Sequence, residues 1–208
     1  MEEEEEEYKF KMVSIKTEGN KSIVEFKSTH NTIVNAFRRV ILDEVPTFAI
    51  EDVEIVKNGS ALYDETFAHR LGLIPLTTDL SAYNMKSDCK CGSVGCALCE
   101  VKMSITQSES GYVYSGSIKS EDPAVKPAFD TIPVTKLLDG QEIEANCVAI
   151  LGCGKTHAKW SPGHAYLQEN GKVVDLVIES FGQLSGKDIF NTSVDVLIGK
   201  IEELENKL

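Results

Sequence analysis

The sequence predicts an α+β fold: a discontinuous domain of strands and two long helices, interrupted by an inserted second domain that is mostly β. The chain begins with two strand patterns and a helix pattern, and it ends with a strand pattern and a helix pattern. The middle is rich in strand patterns. Loop ends in a compact domain lie close together, so one domain can be inserted into another. We therefore assign residues 8–48 and 166–208 to one domain and 49–165 to the insert.

The start of the chain has the pattern of a hairpin followed by a helix. Tyr8–Met12 alternates between polar and apolar residues, which is typical of a half-buried strand. After a turn at Gly19-Asn20, Ser22–Phe26 reads as the returning strand. A helix is predicted over 31–44, and Pro46 ends it. Its apolar residues recur every three or four positions: Ile33, Phe37, Val40, Ile41 and Val45.

The middle block alternates in the manner of strands and contains one short helix pattern. Strands are predicted around 53–55, 101–105, 112–114 and 143–151, and the helix over 65–73. Three prolines between positions 123 and 133 indicate an extended, irregular stretch.

The end of the chain has a strand pattern over Val173–Glu179 and a helix pattern that runs to the terminus. Ser185 followed by Asp188 resembles a capping box at the helix start. The apolar residues of this helix form a heptad seam, which is typical of a helix that meets another helix. By itself the seam leaves two alternatives open, packing on the chain's own sheet or on a partner. The seam residues are Phe190, Val194, Leu197, Ile201, Leu204 and Leu208.

The free energy from burying the seam residues is not enough by itself to hold a partner. Burying six side chains yields about 9–18 kcal/mol gross. Association costs about 4–15 kcal/mol. We therefore expect the first predicted helix to contribute to any interface, through Ile33, Phe37 and Ile41.

The charge balance excludes several classes of partner. The chain has 21 Lys and Arg residues against 33 Asp and Glu residues, for a formal net charge of −12. Such a chain does not coat nucleic acid or an anionic membrane by bulk charge. Part of the excess lies in the run Glu2–Glu7, and residues 1–7 are predicted to be a disordered acidic tail. No apolar run approaches a membrane span, and no export signal is evident, so we expect a cytoplasmic protein with reduced thiols.

Four of the six cysteines form the pattern C-x-C-x4-C-x2-C: Cys89, Cys91, Cys96 and Cys99. They lie in a loop at 88–100 whose glycines, Gly92 and Gly95, let it fold back. Four thiolates can surround Zn²⁺ in a closed structural site, and we favour zinc. Free thiols, a disulfide and an iron–sulfur cluster are the alternatives. No Ser or Cys nucleophile pairs with a histidine at a recognisable spacing, so no catalytic residues are predicted.

Five stretches of the sequence carry a resemblance to a known family. They are NTIVNAFRRVILDEVPTFAIEDVEI at 31–55, ALYDETFAHRLGLIPL at 61–76, CKCGSVGCALCEV at 89–101, VYSGSIKSEDPAVKPAFDTIPVTKLLDGQ at 113–141 and LGCGKTHAKWSP at 151–162. These stretches resemble the assembly subunits of cellular RNA polymerases, in particular the archaeal D type. The family also includes the third-largest subunit of eukaryotic RNA polymerase II and the amino-terminal domain of bacterial alpha.

The resemblance implies a non-catalytic scaffold whose discontinuous domain is a dimerisation domain. The expected partners are a smaller L-type subunit as heterodimer, the second-largest catalytic subunit, and small N- and P-type subunits. Arg38 and Arg39 match the stretch where the large subunit docks. No direct specific DNA contact and no membrane contact are expected. The rival hypotheses are a homodimeric scaffold like bacterial alpha, and a zinc or thiol module for nucleic-acid binding or redox chemistry.

Some archaeal relatives carry a ferredoxin-like cluster domain after the Trp160-Ser161-Pro162 region. Here the returning strand follows almost at once at Val173, and no cysteine lies beyond Cys153. We therefore predict that this chain lacks a 4Fe-4S cluster.

Overall fold

The computed structural model describes residues 11–27, 31–171 and 173–208, and within them the chain is α+β, as predicted. The acidic tail predicted at 1–7 and the start of the first predicted strand, Tyr8–Phe10, lie outside the described residues. The helices are α1 (Thr32–Asp43), α2 (Asp64–Gly72) and α3 (Gly186–Glu205). The strands are β1 (Lys11–Glu18), β2 (Lys21–Lys27), β3 (Pro46–Asn58), β4 (Glu100–Gln107), β5 (Gly111–Tyr114), β6 (Ile118–Ser120), β7 (Pro133–Leu137), β8 (Ile143–Cys153), β9 (Gly163–Asn170) and β10 (Val173–Ser180).

The chain divides into two compact units. The first contains the described residues up to Val45 together with Pro162–Ser180 and Ser185–Leu208. The second contains Pro46–Ser161 and the short segment Phe181–Leu184. No helix among the described residues is long and apolar enough to cross a membrane.

The first unit is a four-stranded antiparallel sheet in the order β1-β2-β10-β9 with two helices. β9 was not predicted from the sequence, although it pairs along its length with β10. Three aromatic rings join the sheet to both helices. The Phe37 ring of α1 stacks on Phe26 of β2 at 6.0 Å, and it lies 5.4 Å from the Phe190 ring of α3. The core of this unit therefore forms where α1 and α3 meet the sheet.

The start of α3 follows the predicted cap, whereas its end does not follow the prediction. The Ser185 hydroxyl accepts a hydrogen bond from the Asp188 backbone N–H at 3.1 Å, so Ser185 is the N-cap. The helix ends at Glu205, not at the terminus, and Leu208 therefore lies beyond it. The predicted helical seam is thus one residue too long at its carboxyl end.

The second unit has a four-stranded antiparallel sheet in the order β3-β8-β4-β6, a two-stranded ribbon β5-β7, and α2. Alternate residues of β8 point into its core, including Ala145, Cys147 and Ala149. Burial raises the pKa of the Cys147 thiol to about 11, which is consistent with a cysteine that acts as a small apolar residue. β7, which was not predicted, begins at Pro133, where the stretch predicted to be irregular ends, and it pairs with β5.

Candidate functional site

The cysteine-rich loop leads directly into β4, so its last cysteine is anchored at the start of a sheet strand. The loop reverses direction through three residues with positive φ: Gly92 at 66°, Ser93 at 65° and Gly95 at 106°. Glycine adopts such conformations without steric cost. The two predicted glycines therefore allow the loop to fold back on itself.

The fold brings the four predicted thiols into one cluster. Their sulfur atoms all lie within 4.8 Å of one another. The Sγ–Sγ distance is 3.5 Å for Cys89–Cys96, 3.7 Å for Cys91–Cys99 and 3.7 Å for Cys96–Cys99. Sulfurs at the corners of a tetrahedron around Zn²⁺, each about 2.3 Å from the metal, are about 3.8 Å apart. The four-cysteine group could thus hold a metal ion.

The surroundings of the sulfurs differ in how well they favour the thiolate form. A hydrogen bond from the Gly95 backbone N–H lowers the pKa of Cys91 to about 7, with a further contribution from Cys89. Burial raises the pKa of Cys99 to about 12 in the absence of a metal. The Cys96 backbone N–H also donates to the Cys99 sulfur at 3.3 Å. Backbone N–H groups are therefore already directed at sulfur, as the outer contacts of metal ligands are.

Three contacts connect the residues before the first cysteine to the loop and to the residue after the last cysteine. Lys86 Nζ lies 2.5 Å from Glu100 Oε1. The Asn84 backbone N–H donates to the Leu98 carbonyl at 2.9 Å, and the Ser93 hydroxyl donates to the Lys86 carbonyl at 3.1 Å. Sequence reasoning missed these residues, because their spacing follows no periodic pattern.

The predicted interface residues of the first unit fall into two groups. Ile41 and Phe190 are buried in the chain's own core, and Phe37 is half-buried beside them. Along α3 the exposure then rises from Val194 and Leu197, which are half-buried, to the exposed residues. Of the predicted interface residues, the exposed apolar ones are Ile33 on α1, Ile201 and Leu204 on α3, and Leu208 after it. Ile198, which the seam pattern did not include, is also exposed.

We call the group Val194, Leu197, Ile198, Ile201 and Leu204 the apolar face of α3. Except for the neighbours Leu197 and Ile198, these residues follow one another at intervals of three or four positions. They therefore lie along one side of the helix. Lys200 Nζ lies 2.5 Å from Glu44 Oε1, which ties α3 to the end of α1. The apolar face is thus carried by a helix that is fixed to the rest of its unit.

The two predicted arginines lie on α1, where Arg38 is half-buried and Arg39 is exposed. The Arg38 Nε donates to the Asn35 side-chain oxygen at 2.9 Å, one turn earlier. A guanidinium group can form two parallel hydrogen bonds to a carboxylate.

The family model and the relatives that match this chain all belong to RNA polymerase subunits. Residues 53–165 match the family model of the RNA polymerase Rpb3/RpoA insert domain. The chain is 42% identical over 186 residues to DNA-directed RNA polymerase subunit Rpo3 of Methanosphaera stadtmanae, covering 83% of this chain and 68% of that protein. It is 39% identical over 181 residues to the Rpo3 subunit of Methanocaldococcus jannaschii, covering 84% and 83%. The Rpo3 subunit of Pyrococcus furiosus is 46% identical over 140 residues, and there the match spans about half of the relative, 51%.

Proposed function

Because this chain belongs to the archaeal D, or Rpo3, family of DNA-directed RNA polymerase subunits, we propose that it is a non-catalytic assembly scaffold of the enzyme. In this role it forms a heterodimer with a smaller L-type subunit and docks the second-largest catalytic subunit. Small N- and P-type subunits join the same platform in the cytoplasm. No residue of this chain takes part in nucleotidyl transfer.

The observation that carries this proposal is the apolar face of α3. Ile198, Ile201 and Leu204 are exposed in the second half of α3, and the buried residues of the helix all lie in its first half. Contiguous apolar surface of this kind marks a site of protein association. Ile33, on α1 of the same unit, is a further exposed apolar residue. The L-type subunit is the partner that would cover this surface.

The experiment is co-expression of the chain with a candidate L-type subunit, followed by measurement of the mass of the complex. Ile201→Asp is expected to abolish the heterodimer, because it places a charge in the apolar interface. Val56→Asp is the matched control, since Val56 and Ile201 are both 56% exposed and Val56 lies in the second unit. A heterodimer that survives Ile201→Asp unchanged would refute the proposed interface.

A homodimer is the second candidate, because the same apolar face could pair with its copy. In that case the isolated chain should form a dimer whose amount depends on concentration. Addition of an L-type subunit should leave this dimer unchanged. The mass measurement therefore separates the two assemblies.

Docking of the second-largest subunit is assigned to α1, through the half-buried Arg38 and the exposed Arg39. The guanidinium group suits carboxylates on the large subunit, because it can form two parallel hydrogen bonds to each. Replacing both with glutamine is expected to leave the L-type heterodimer intact and to weaken capture of the large subunit. Loss of both assemblies together would contradict separate sites.

We also propose that the four cysteines hold a structural zinc ion. The sulfur spacing and the backbone N–H donors to sulfur support a closed tetrahedral site. One zinc per chain is expected by elemental analysis. Four labile sulfides and four irons per chain would refute both this assignment and the predicted lack of a 4Fe-4S cluster.

A further inference from the structure

We infer that Lys86 and Glu100 form a clamp that holds the cysteine loop in its metal-binding conformation before a metal arrives. This inference rests on the proposed metal site, and it assigns positioning roles to two residues that are not ligands. Lys86 precedes the first cysteine by three positions, and Glu100 directly follows the last. Their ion pair therefore closes the loop at its base.

The pair is more sheltered from solvent than an ordinary surface ion pair. Its side chains are 31% and 18% exposed, with the Lys86 Nζ 2.5 Å from Glu100 Oε1. The pair between Lys57 and Glu142, in the same unit, is 58% and 44% exposed. Exposed pairs contribute little because water screens them, whereas a sheltered pair is screened less.

Glu100 also contacts the part of the loop that directs N–H groups at sulfur. Gly95 packs so closely on the Glu100 side chain that a Cβ atom there would lie 2.6 Å from Oε1. The Gly95 N–H is directed at Cys91, and the next N–H, that of Cys96, donates to the Cys99 sulfur. By fixing the Glu100 carboxylate, Lys86 fixes the position of this segment.

The clamp acts together with two hydrogen bonds that tie the residues before the first cysteine to the loop itself. These are Asn84 N–H to the Leu98 carbonyl and the Ser93 hydroxyl to the Lys86 carbonyl. Closing a loop costs conformational entropy, and a loop that is closed in advance does not incur this cost on binding. The expected consequence is tighter metal binding without a change in the ligand set.

The test measures the affinity of the full chain for Zn²⁺ by competition with a chelator, and records the Co²⁺ absorption spectrum. Lys86→Met is expected to weaken Zn²⁺ binding about tenfold, as loss of a supporting contact does. The Co²⁺ spectrum should remain that of four sulfur ligands. Lys57→Met, the matched control, should bind Zn²⁺ as the wild type does. The reversed pair, Lys86→Glu with Glu100→Lys, should recover part of the lost affinity.

The outcomes separate this inference from the proposed metal site. If the wild-type chain binds Zn²⁺ and Lys86→Met binds within about twofold of it, the clamp is refuted and the metal site stands. If Glu100→Gln changes the Co²⁺ spectrum, Glu100 is a ligand and the clamp is also refuted. If the wild-type chain binds no Zn²⁺, the metal site itself fails. Circular dichroism of each variant, which should match the wild type, excludes misfolding as the cause of weak binding.

Discussion

The hydroxyl group of Tyr83 is expected to make the stability of the second unit depend on pH. It donates a hydrogen bond to the Asp122 carboxylate, and its ring packs edge-on against Phe48 at 4.9 Å. Burial, and then the hydrogen bond to Asp122, raises the pKa of Tyr83 to about 12. An unfolded tyrosine has a pKa of about 10. The folded state therefore binds this proton more tightly than the unfolded state does.

Because the folded pKa is the higher one, the stabilisation from this proton is fully present below pH about 10 and is lost as the pH rises toward about 12. Tyr83→Phe keeps the ring but is expected to remove this part of the alkaline loss of stability. The measurement is the free energy of unfolding in urea between neutral and alkaline pH. Tyr63→Phe is the control, since Tyr63 is exposed. An unchanged alkaline slope in Tyr83→Phe would contradict the assignment.

Replacing Gly186 with alanine is expected to destabilise the protein, although alanine usually stabilises a helix relative to glycine. Alanine is favoured over glycine by up to about 1 kcal/mol in a helix interior. Gly186 is the first residue of α3, so only part of this gain is expected there. At Gly186, however, a new Cβ would lie 2.6 Å from the Cβ of Ser22, which is fully buried on β2. Rotation of the Ser22 hydroxyl does not relieve a contact with its Cβ, so the helix or the strand must shift.

Gly186→Ala is therefore expected to destabilise the protein by about 1–3 kcal/mol, the usual cost of overpacking. Gly199→Ala in the same helix meets no atom within 4 Å and should be neutral or stabilising. Thermal unfolding of the two variants tests the difference. Equal effects at both positions would show that packing on Ser22 is not the cause.

The helix α3 shows which parts of an element can be predicted from sequence. Its start was predicted because Ser185 and Asp188 satisfy a local rule, and the cap forms as expected. The seam residues lie on one side of the helix, but the pattern does not show how far along the helix the chain's own sheet covers them. Phe190, near the start, packs on Phe26 of the sheet, whereas Ile201 and Leu204, near the end, are exposed, as is Ile198.

In the strands and in the cysteine loop as well, local patterns were predicted and contacts between distant residues were not. β9 alternates inward residues such as Ala165 and Leu167 with polar ones, but it lacks a run of β-branched residues and was missed. The four cysteines were predicted as a group, because their spacing is local and their chemistry is distinctive. The ion pair of Lys86 and Glu100 was not, since nothing in the sequence links two charges on opposite sides of a loop.

For the molecule as a whole, the two units are expected to respond to different ligands. The four cysteines of the proposed metal site lie within the second unit, and the apolar face of α3 lies within the first. A ligand that binds only the folded state stabilises it by about 4 kcal/mol when its concentration is a thousand times its Kd. Removing the metal should therefore lower the stability of the second unit, and binding of an L-type subunit should raise that of the first.

Hydrogen exchange measured by mass spectrometry can follow both units in one experiment. Addition of a chelator is expected to speed exchange in the loop at 88–100 and in the adjoining β4, and to leave α1 and α3 unchanged. Addition of the L-type subunit should slow exchange in α3 and α1 and leave the cysteine loop unchanged. Since exchange in a folded protein reports the free energy of local opening, each ligand is assigned to a unit by where protection changes. Loss of protection in α3 on chelation would contradict the expectation that the proposed metal stabilises only the second unit.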